Sequence, residues 1–262
     1  MDGVSLMLPT LSIGSIALPV APLVTIAGFW VALWLIARVG RRFGLAENVV
    51  YNAGFIGVVT GLIGARLWYA LQYWPFYRDH PADIIALNLH ALSVLGGMLV
   101  GTVCAVIYLQ RKSVPALPLL DALAPGLAAF AIALSLANFA SGAAYGEPTR
   151  LPWAIHLWDT ARHPTQLYDL ALSFGILLVS LRLVRAGPAT GRAFVATVAL
   201  LAGSRLLTEG FRGDSSALDG GWRVMQFVWL ALLLAALMAL AWIDTRRAST
   251  RALSPDTEVA NE

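Results

Sequence analysis

An all-α, polytopic membrane fold is predicted by three properties of this sequence: its composition, the recurrence of long apolar runs, and the placement of its arginines. Apolar side chains make up 58% of the 262 residues and charged ones 13%, against about 45–50% and about 25% in soluble domains. Mean hydropathy is +0.72. Apolar runs recur from Pro22 to Ile243 and leave no stretch from which a separate soluble core could be built.

The elements follow in order. The first twenty residues lack the positive n-region of a signal peptide and are broken by prolines, so they read as a retained surface segment. Seven spans of roughly 20 residues are expected near 22–39, 48–73, 92–110, 119–139, 166–184, 193–210 and 222–243. One set of connections carries Arg38, Arg41, Arg42, Arg111, Lys112, Arg182, Arg185, Arg192, Arg246, Arg247 and Arg251. The other carries Arg78, Arg150, Arg162, Arg212 and Arg223, offset by Asp79, Asp83, Glu147, Asp159, Asp214 and Asp219. The positive-inside rule then puts the amino terminus outside and the carboxyl terminus in the cytoplasm. A single transmembrane domain over 1–245 is expected, with 246–262 as a polar, disordered cytoplasmic tail. The pI of about 9.3 reflects this topology, and no basic cluster points to nucleic acid. Cys104 is the one cysteine, which excludes an internal disulfide framework or a cysteine metal site.

Chemistry is expected on the outer face, where connections 75–91 and 140–165 are longer than the rest. The ionisable residues Arg66, Asp121, Arg205 and Glu209 fall inside or at the edge of spans. A charge at the bilayer centre costs about 2.5–3.5 kcal/mol on insertion scales, so each needs a partner, water or the headgroup region. Arg66 and Arg205 lie toward the outer ends of their spans and are expected to reach one outer-leaflet cavity. In the stretch AGSRLLTEGFRGD, residues 202–214, Arg205, Glu209 and Arg212 share one helix stripe. That stripe reads either as an Arg205–Glu209 bridge that locks the helix or as a site for lipid phosphate, whose oxygens suit planar guanidinium donors. Asp121 is read as the cap of a helix start.

The stretch RHPTQLYDL, residues 162–170, starts the fifth span, with Pro164 suited to the first helical position and the positive end of the helix beside Arg162 and His163. Interfacial anchoring and packing are the alternative roles for Arg162, His163, Gln166 and Tyr168. Asn138 ends the fourth span, where an interhelical hydrogen bond would account for it, and LGGML at 95–99 would mark a close helix crossing.

Taken in order, LSIGSIAL, GLIGARLWYAL, LGGML, DALAPGL, NFASGAAYGEPTRLPWAI, RHPTQLYDL and SRLLTEGFR, ending at Gln226, resemble the prolipoprotein diacylglyceryl transferase family over most of the chain. The resemblance implies a seven-span enzyme of the bacterial plasma (inner) membrane, with its active face extracytoplasmic. It would transfer the diacylglyceryl group of phosphatidylglycerol to the lipobox cysteine of a prolipoprotein, whose signal peptide it would bind among membrane lipids. A thioether forms, glycerol phosphate leaves, and no metal or other cofactor is implied.

Carried over residue by residue, Arg205, Glu209 and His163 are the implied catalytic group, and Arg66, Asn138, Gly146, Gln166, Tyr168 and Arg212 the substrate-binding group. The chain departs from the family pattern at several positions. Leu95 stands where the family has the histidine of a His-Gly-Gly motif, and Ser135 where it has a headgroup-binding arginine. Ser141, Gly142 and Ala143 replace Asn-x-Glu, and Ala21 and Leu201 replace tyrosines. His90 could replace the base only if the third span began earlier, and a solvated loop histidine is the plainer reading. Two functions therefore stand open from the sequence: diacylglyceryl transfer, and a non-catalytic relative that binds phospholipid or lipoprotein signal peptide. A small-molecule transporter would explain the intramembrane charges but not the ordered motifs.

Overall fold

The computed structural model describes residues 10–13, 16–85, 91–157, 159–216, 218 and 222–252. Helices dominate: α1 (Val20–Arg42), α2 (Glu47–Gln72), α3 (Trp74–Asp79), α4 (Val94–Arg111), α5 (Ala116–Ser141), α6 (Thr165–Arg185), α7 (Arg192–Glu209) and α8 (Val224–Ala252). Among the described residues, six of these are long and apolar enough to cross a membrane. The other long helix, α7, carries Arg192, Arg205 and Glu209 within its 18 residues, so composition alone does not mark it as a span. The expected spans coincide with the seven long helices, and every end but the last agrees to within three residues. The last helix runs on to Ala252, past the expected boundary at 245. Arg246 lies over the Trp242 ring four residues back, 3.8 Å from its centroid, and the Arg247 guanidinium donates to Thr190 Oγ1.

Two short antiparallel ribbons interrupt the all-α pattern. The strands β1 (Thr10–Ile13) and β2 (Ile16–Pro19) pair Thr10 with Pro19 and Ile13 with Ile16, giving the expected surface segment a hairpin form. The second ribbon, β3 (Ile155–Leu157) with β4 (Thr160–Arg162), lies in the long connection before α6.

The chain forms two compact units, Ala37–Leu119 in one and Met1–Ile36 with Leu120–Glu262 in the other. In the first, α2 and α4 cross so closely that a Cβ on Gly101 would lie 2.4 Å from the Gly57 carbonyl oxygen and one on Gly96 2.2 Å from Trp68 Cβ. This is the close crossing that LGGML leads one to expect. Without a hydrophobic drive between helices in lipid, such approach supplies the packing that holds them.

In the second unit α5 is central. Its most apolar window is 56% buried, against 6% for α8, and its buried face is built largely of alanines 122, 124, 128, 129, 131, 133 and 137. Small residues let α1 approach closely, with Gly28 against Ala133 and Ile36 against Gly126. Polar contacts supplement this packing. Ser180 on α6 and Thr197 on α7 share a buried hydroxyl bond of 2.7 Å, and Arg192 pairs with Asp244 at 2.9 Å. Asp121 caps a helix start, as expected, but that of α7: Oδ2 accepts from the Thr190 and Gly191 amides at 2.7 and 2.9 Å and Oδ1 from Phe194 at 3.1 Å. The carboxylate therefore fills the positive end of α7.

Candidate functional site

The end of α7, the start of α6 and the connection between α5 and β3 form one polar knot in the second unit. Arg205 does not pair with Glu209, its neighbour one turn away. Its NH1 donates to Asp169 Oδ2 on α6, and Thr208 Oγ1 donates to Asp169 Oδ1 at 2.7 Å. Asp169 is 3% exposed, and the Arg205 side chain 17%. Of the two readings open for the stripe, the local i,i+4 bridge is not formed, and an interhelical bridge stands in its place. Asp169 is the residue that the sequence reading passed over. Its signal was available: a carboxylate in an apolar span, three residues beyond Gln166 on the same helical face.

Glu209 is 2% exposed, with Oε2 3.8 Å from Arg212 NH1 and Oε1 without a hydrogen-bond partner. Arg212 makes its better contacts with Asp214, Nε to Oδ1 at 2.9 Å and NH2 to Oδ2 at 3.0 Å. Burial works against the Arg212 cation, but hydrogen bonding and charge from Asp214, with further charge from Glu209 and Asp169, more than offset it and hold its pKa above the ordinary value. Arg212 is therefore a fixed cation in a ring with Asp214, which it bonds twice, and Glu209, 3.8 Å away.

The loop after α5 is tied into this ring from both sides. Ala144 adopts a left-handed backbone at φ 56°, a conformation costly for a residue with a Cβ. Three neighbouring bonds hold it: the Ala144 amide donates to Asp214 Oδ2 at 3.1 Å, Thr165 Oγ1 donates to the Ala144 carbonyl at 2.6 Å, and Gln166 Nε2 donates to the Ala143 carbonyl at 2.8 Å. Because a carbonyl can only accept, this last bond fixes the orientation of the Gln166 amide. Gln166 Oε1 is then left buried and unpartnered.

Gly146 bridges to Arg212 on one side and abuts His163 on the other, where a Cβ would lie 2.3 Å from the His163 carbonyl oxygen. Its role here is close packing. His163 sits among Tyr168 and Phe211, with Nδ1 3.4 Å from the Tyr168 hydroxyl, which accepts from Trp153 Nε1 at 2.9 Å. The positive helix end beside Arg162 and His163 has few open amides, and Pro164 is its cap and not its first residue. Thr165 N donates to His163 O, and Leu167 N to Pro164 O, each at 2.9 Å. Arg223 donates to Glu147 Oε1 and to Ser215 Oγ, tying the 147 turn to the segment before α8. Asn138 is half-buried near the end of α5, and its amide makes no hydrogen bond among the described residues.

Ser135, at the family's arginine position, is 1% exposed and donates to the Ala131 carbonyl of its own helix at 2.9 Å. In the first unit, Leu95 is 68% exposed in the first turn of α4. His90 lies outside the described residues. Arg66 anchors the outer connection of that unit: Nε and NH1 donate to the Ile84 and Ala91 carbonyls at 2.9 Å each, NH2 donates to the Asp83 carbonyl, and the guanidinium lies 5.5 Å from the Tyr77 ring centroid. Among the described residues these carbonyls take three of its five N–H donors.

The sequence model of a family described as prolipoprotein diacylglyceryl transferase matches residues 9–242. The phosphatidylglycerol–prolipoprotein diacylglyceryl transferase of Symbiobacterium thermophilum is 32% identical over 256 residues, covering 92% of this chain and 94% of its own. The protein of the same name from Clostridioides difficile is 29% identical over 206 residues, covering 79% and 83%. That from Synechococcus elongatus is 28% identical over 252 residues, covering 90% and 87%.

Proposed function

Because the chain belongs to the prolipoprotein diacylglyceryl transferase family, we propose that it transfers the diacylglyceryl group of phosphatidylglycerol to the lipobox cysteine of a prolipoprotein. The observation that carries this reading is the family match over 9–242, which contains the whole arginine–carboxylate knot.

In the reaction the cysteine thiolate attacks the glyceryl carbon bonded to the phosphate oxygen. The C–O bond breaks toward oxygen, a C–S thioether forms, and glycerol phosphate leaves with the electron pair. The phosphate gains a second negative charge as the diester becomes a monoester, so donors aimed at it accelerate the step. Arg205 and Arg212 supply those donors. The thiol proton needs an acceptor, because free cysteine has a pKa of about 8.5 and only the thiolate attacks. Glu209 Oε1 is a buried carboxylate oxygen without a hydrogen-bond partner and takes this role in the absence of the family histidine. Gln166 Oε1 and the Asn138 amide have hydrogen-bonding capacity for the headgroup hydroxyls. His163, Tyr168 and Gly146 hold the wall of the site, and in its own unit Arg66 fixes its loop and is the cation that the family pattern assigns to substrate binding. The alternation of basic connections supports a plasma-membrane orientation with the knot on the outer face.

Complementation tests this reading. Cells depleted of their own transferase and expressing this chain should grow and carry a diacylglyceryl thioether on lipoprotein cysteine, measured by mass. A correctly inserted, stable protein that leaves the cysteine unmodified would overturn it in favour of the non-catalytic alternative.

A further inference from the structure

We propose that Asp169 is the counter-ion that lipid phosphate displaces from Arg205, so that this one carboxylate sets how tightly the site grips phosphate before transfer and how readily it lets the product go. The assignment rests on the transferase reading above.

The charge arrangement carries it. Two guanidinium groups, Arg205 and Arg212, face three carboxylates, Asp169, Glu209 and Asp214. With every group ionised these five are formally −1, and Arg223 with Glu147 and the neighbouring Arg162 bring the knot to neutrality, so without lipid it is no bare cation trap. Each guanidinium charge is already neutralised by a carboxylate, so an anion gains the full attraction of one only when that pair separates. Arg212 is held by two bonds to Asp214. Arg205 is held by one, from NH1, and its remaining N–H donors have no partner among the described residues. Arg205 is therefore the exchangeable cation, and its 17% exposed side chain leaves it within reach of a ligand.

Exchange is possible only if the carboxylate left behind is not stranded, since an unpaired buried charge is costly. Asp169 meets this condition. Thr208 Oγ1 still donates to Oδ1 at 2.7 Å, and the Asp169 charge is already felt by Arg212. Once transfer is complete, glycerol phosphate carries its extra charge beside three carboxylates, and Asp169 competes to recover Arg205. Asp169 is thus a positioning residue that acts through Arg205 and favours product release.

The test uses the full chain, purified, with phosphatidylglycerol, a lipobox peptide and added glycerol phosphate as inhibitor. Asp169→Asn should lower the inhibition constant of glycerol phosphate about ten- to a hundredfold, the range expected for removing one charged competitor. It should lower KM for phosphatidylglycerol as well, and lower kcat because release slows. Asp169→Glu should restore all three toward wild type. Thr208→Val, which removes the group that steadies the vacated carboxylate, should move the inhibition constant the other way, raising it at least threefold. A carboxylate that merely tethers α6 to α7 would reduce folded protein and leave inhibition constant and KM unchanged in the molecules that fold, and that result in Asp169→Asn overturns the proposal. If Asp169→Asn does not fold, an unchanged inhibition constant in Thr208→Val overturns it equally. Wild-type protein that forms no thioether in this assay would instead sink the transferase reading, and this assignment with it.

Discussion

Replacing Glu209 by glutamine separates chemistry from packing at the centre of the site. The substitution keeps the shape of a side chain that is 2% exposed and removes one negative charge. Its structural cost is small. The one ionic contact it weakens is the 3.8 Å approach to Arg212, which keeps both bonds to Asp214. No cation is stranded, so the loss is of the order of a single hydrogen bond, about 1 kcal/mol. Loss of a general base lowers rates by about 10²–10⁴, which at 1.36 kcal/mol per decade is about 3–5 kcal/mol of barrier. Glu209→Gln should therefore show a thermal midpoint within a few degrees of wild type and a kcat for thioether formation down at least a hundredfold, followed by peptide mass. A variant that retains turnover to within threefold would refute the assignment of Glu209 as proton acceptor.

Three further substitutions probe the frame around it. Gly146→Ala drives a Cβ to within 2.3 Å of the His163 carbonyl oxygen, an overpacking worth about 1–3 kcal/mol, and should lower both thermal midpoint and turnover; an unchanged midpoint would contradict the packing role. Asp121→Asn disrupts the cap shared by the Thr190, Gly191 and Phe194 amides. It should cost about 1–3 kcal/mol in stability while the folded fraction keeps its turnover; lost turnover at full stability would contradict this. Arg66→Met removes the donors for the Asp83, Ile84 and Ala91 carbonyls and should speed amide hydrogen exchange in the flanking backbone at Ile84 and Ile85; unchanged exchange would contradict the anchoring role.

Much of the fold was legible in the sequence because lipid imposes a simple rule: a span must be apolar over about 20 residues and satisfy its backbone internally. Hence helix ends fell close to expectation, even in α7, where three charges defeat a purely hydropathic criterion. The two ribbons were not legible, since three- or four-residue strands carry almost no periodicity. In the first unit LGGML marks its crossing, and at the site in the second Arg205, Glu209 and Arg212 stand out in a hydrophobic background. Their pairing did not follow from spacing. The i,i+4 rule favours Arg205 with Glu209, whereas tertiary packing brings Asp169 across from α6 and leaves a Glu209 oxygen free. A ledger of buried charges that included Asp169 would have exposed the competition. The close packing of Gly146 against His163 and the left-handed turn held at Ala144 depend on tertiary neighbours, information that no local pattern contains.

The most direct measurement incubates the purified chain with phosphatidylglycerol labelled in the glyceryl carbons of its diacylglyceryl portion and a lipobox peptide, and follows both products. Label should move to the peptide as a thioether stable to alkaline ester hydrolysis of the acyl chains, with one glycerol phosphate released per cysteine modified, and Arg205→Ala should abolish both signals. Folded protein that binds the lipid but yields neither thioether nor glycerol phosphate would contradict the account.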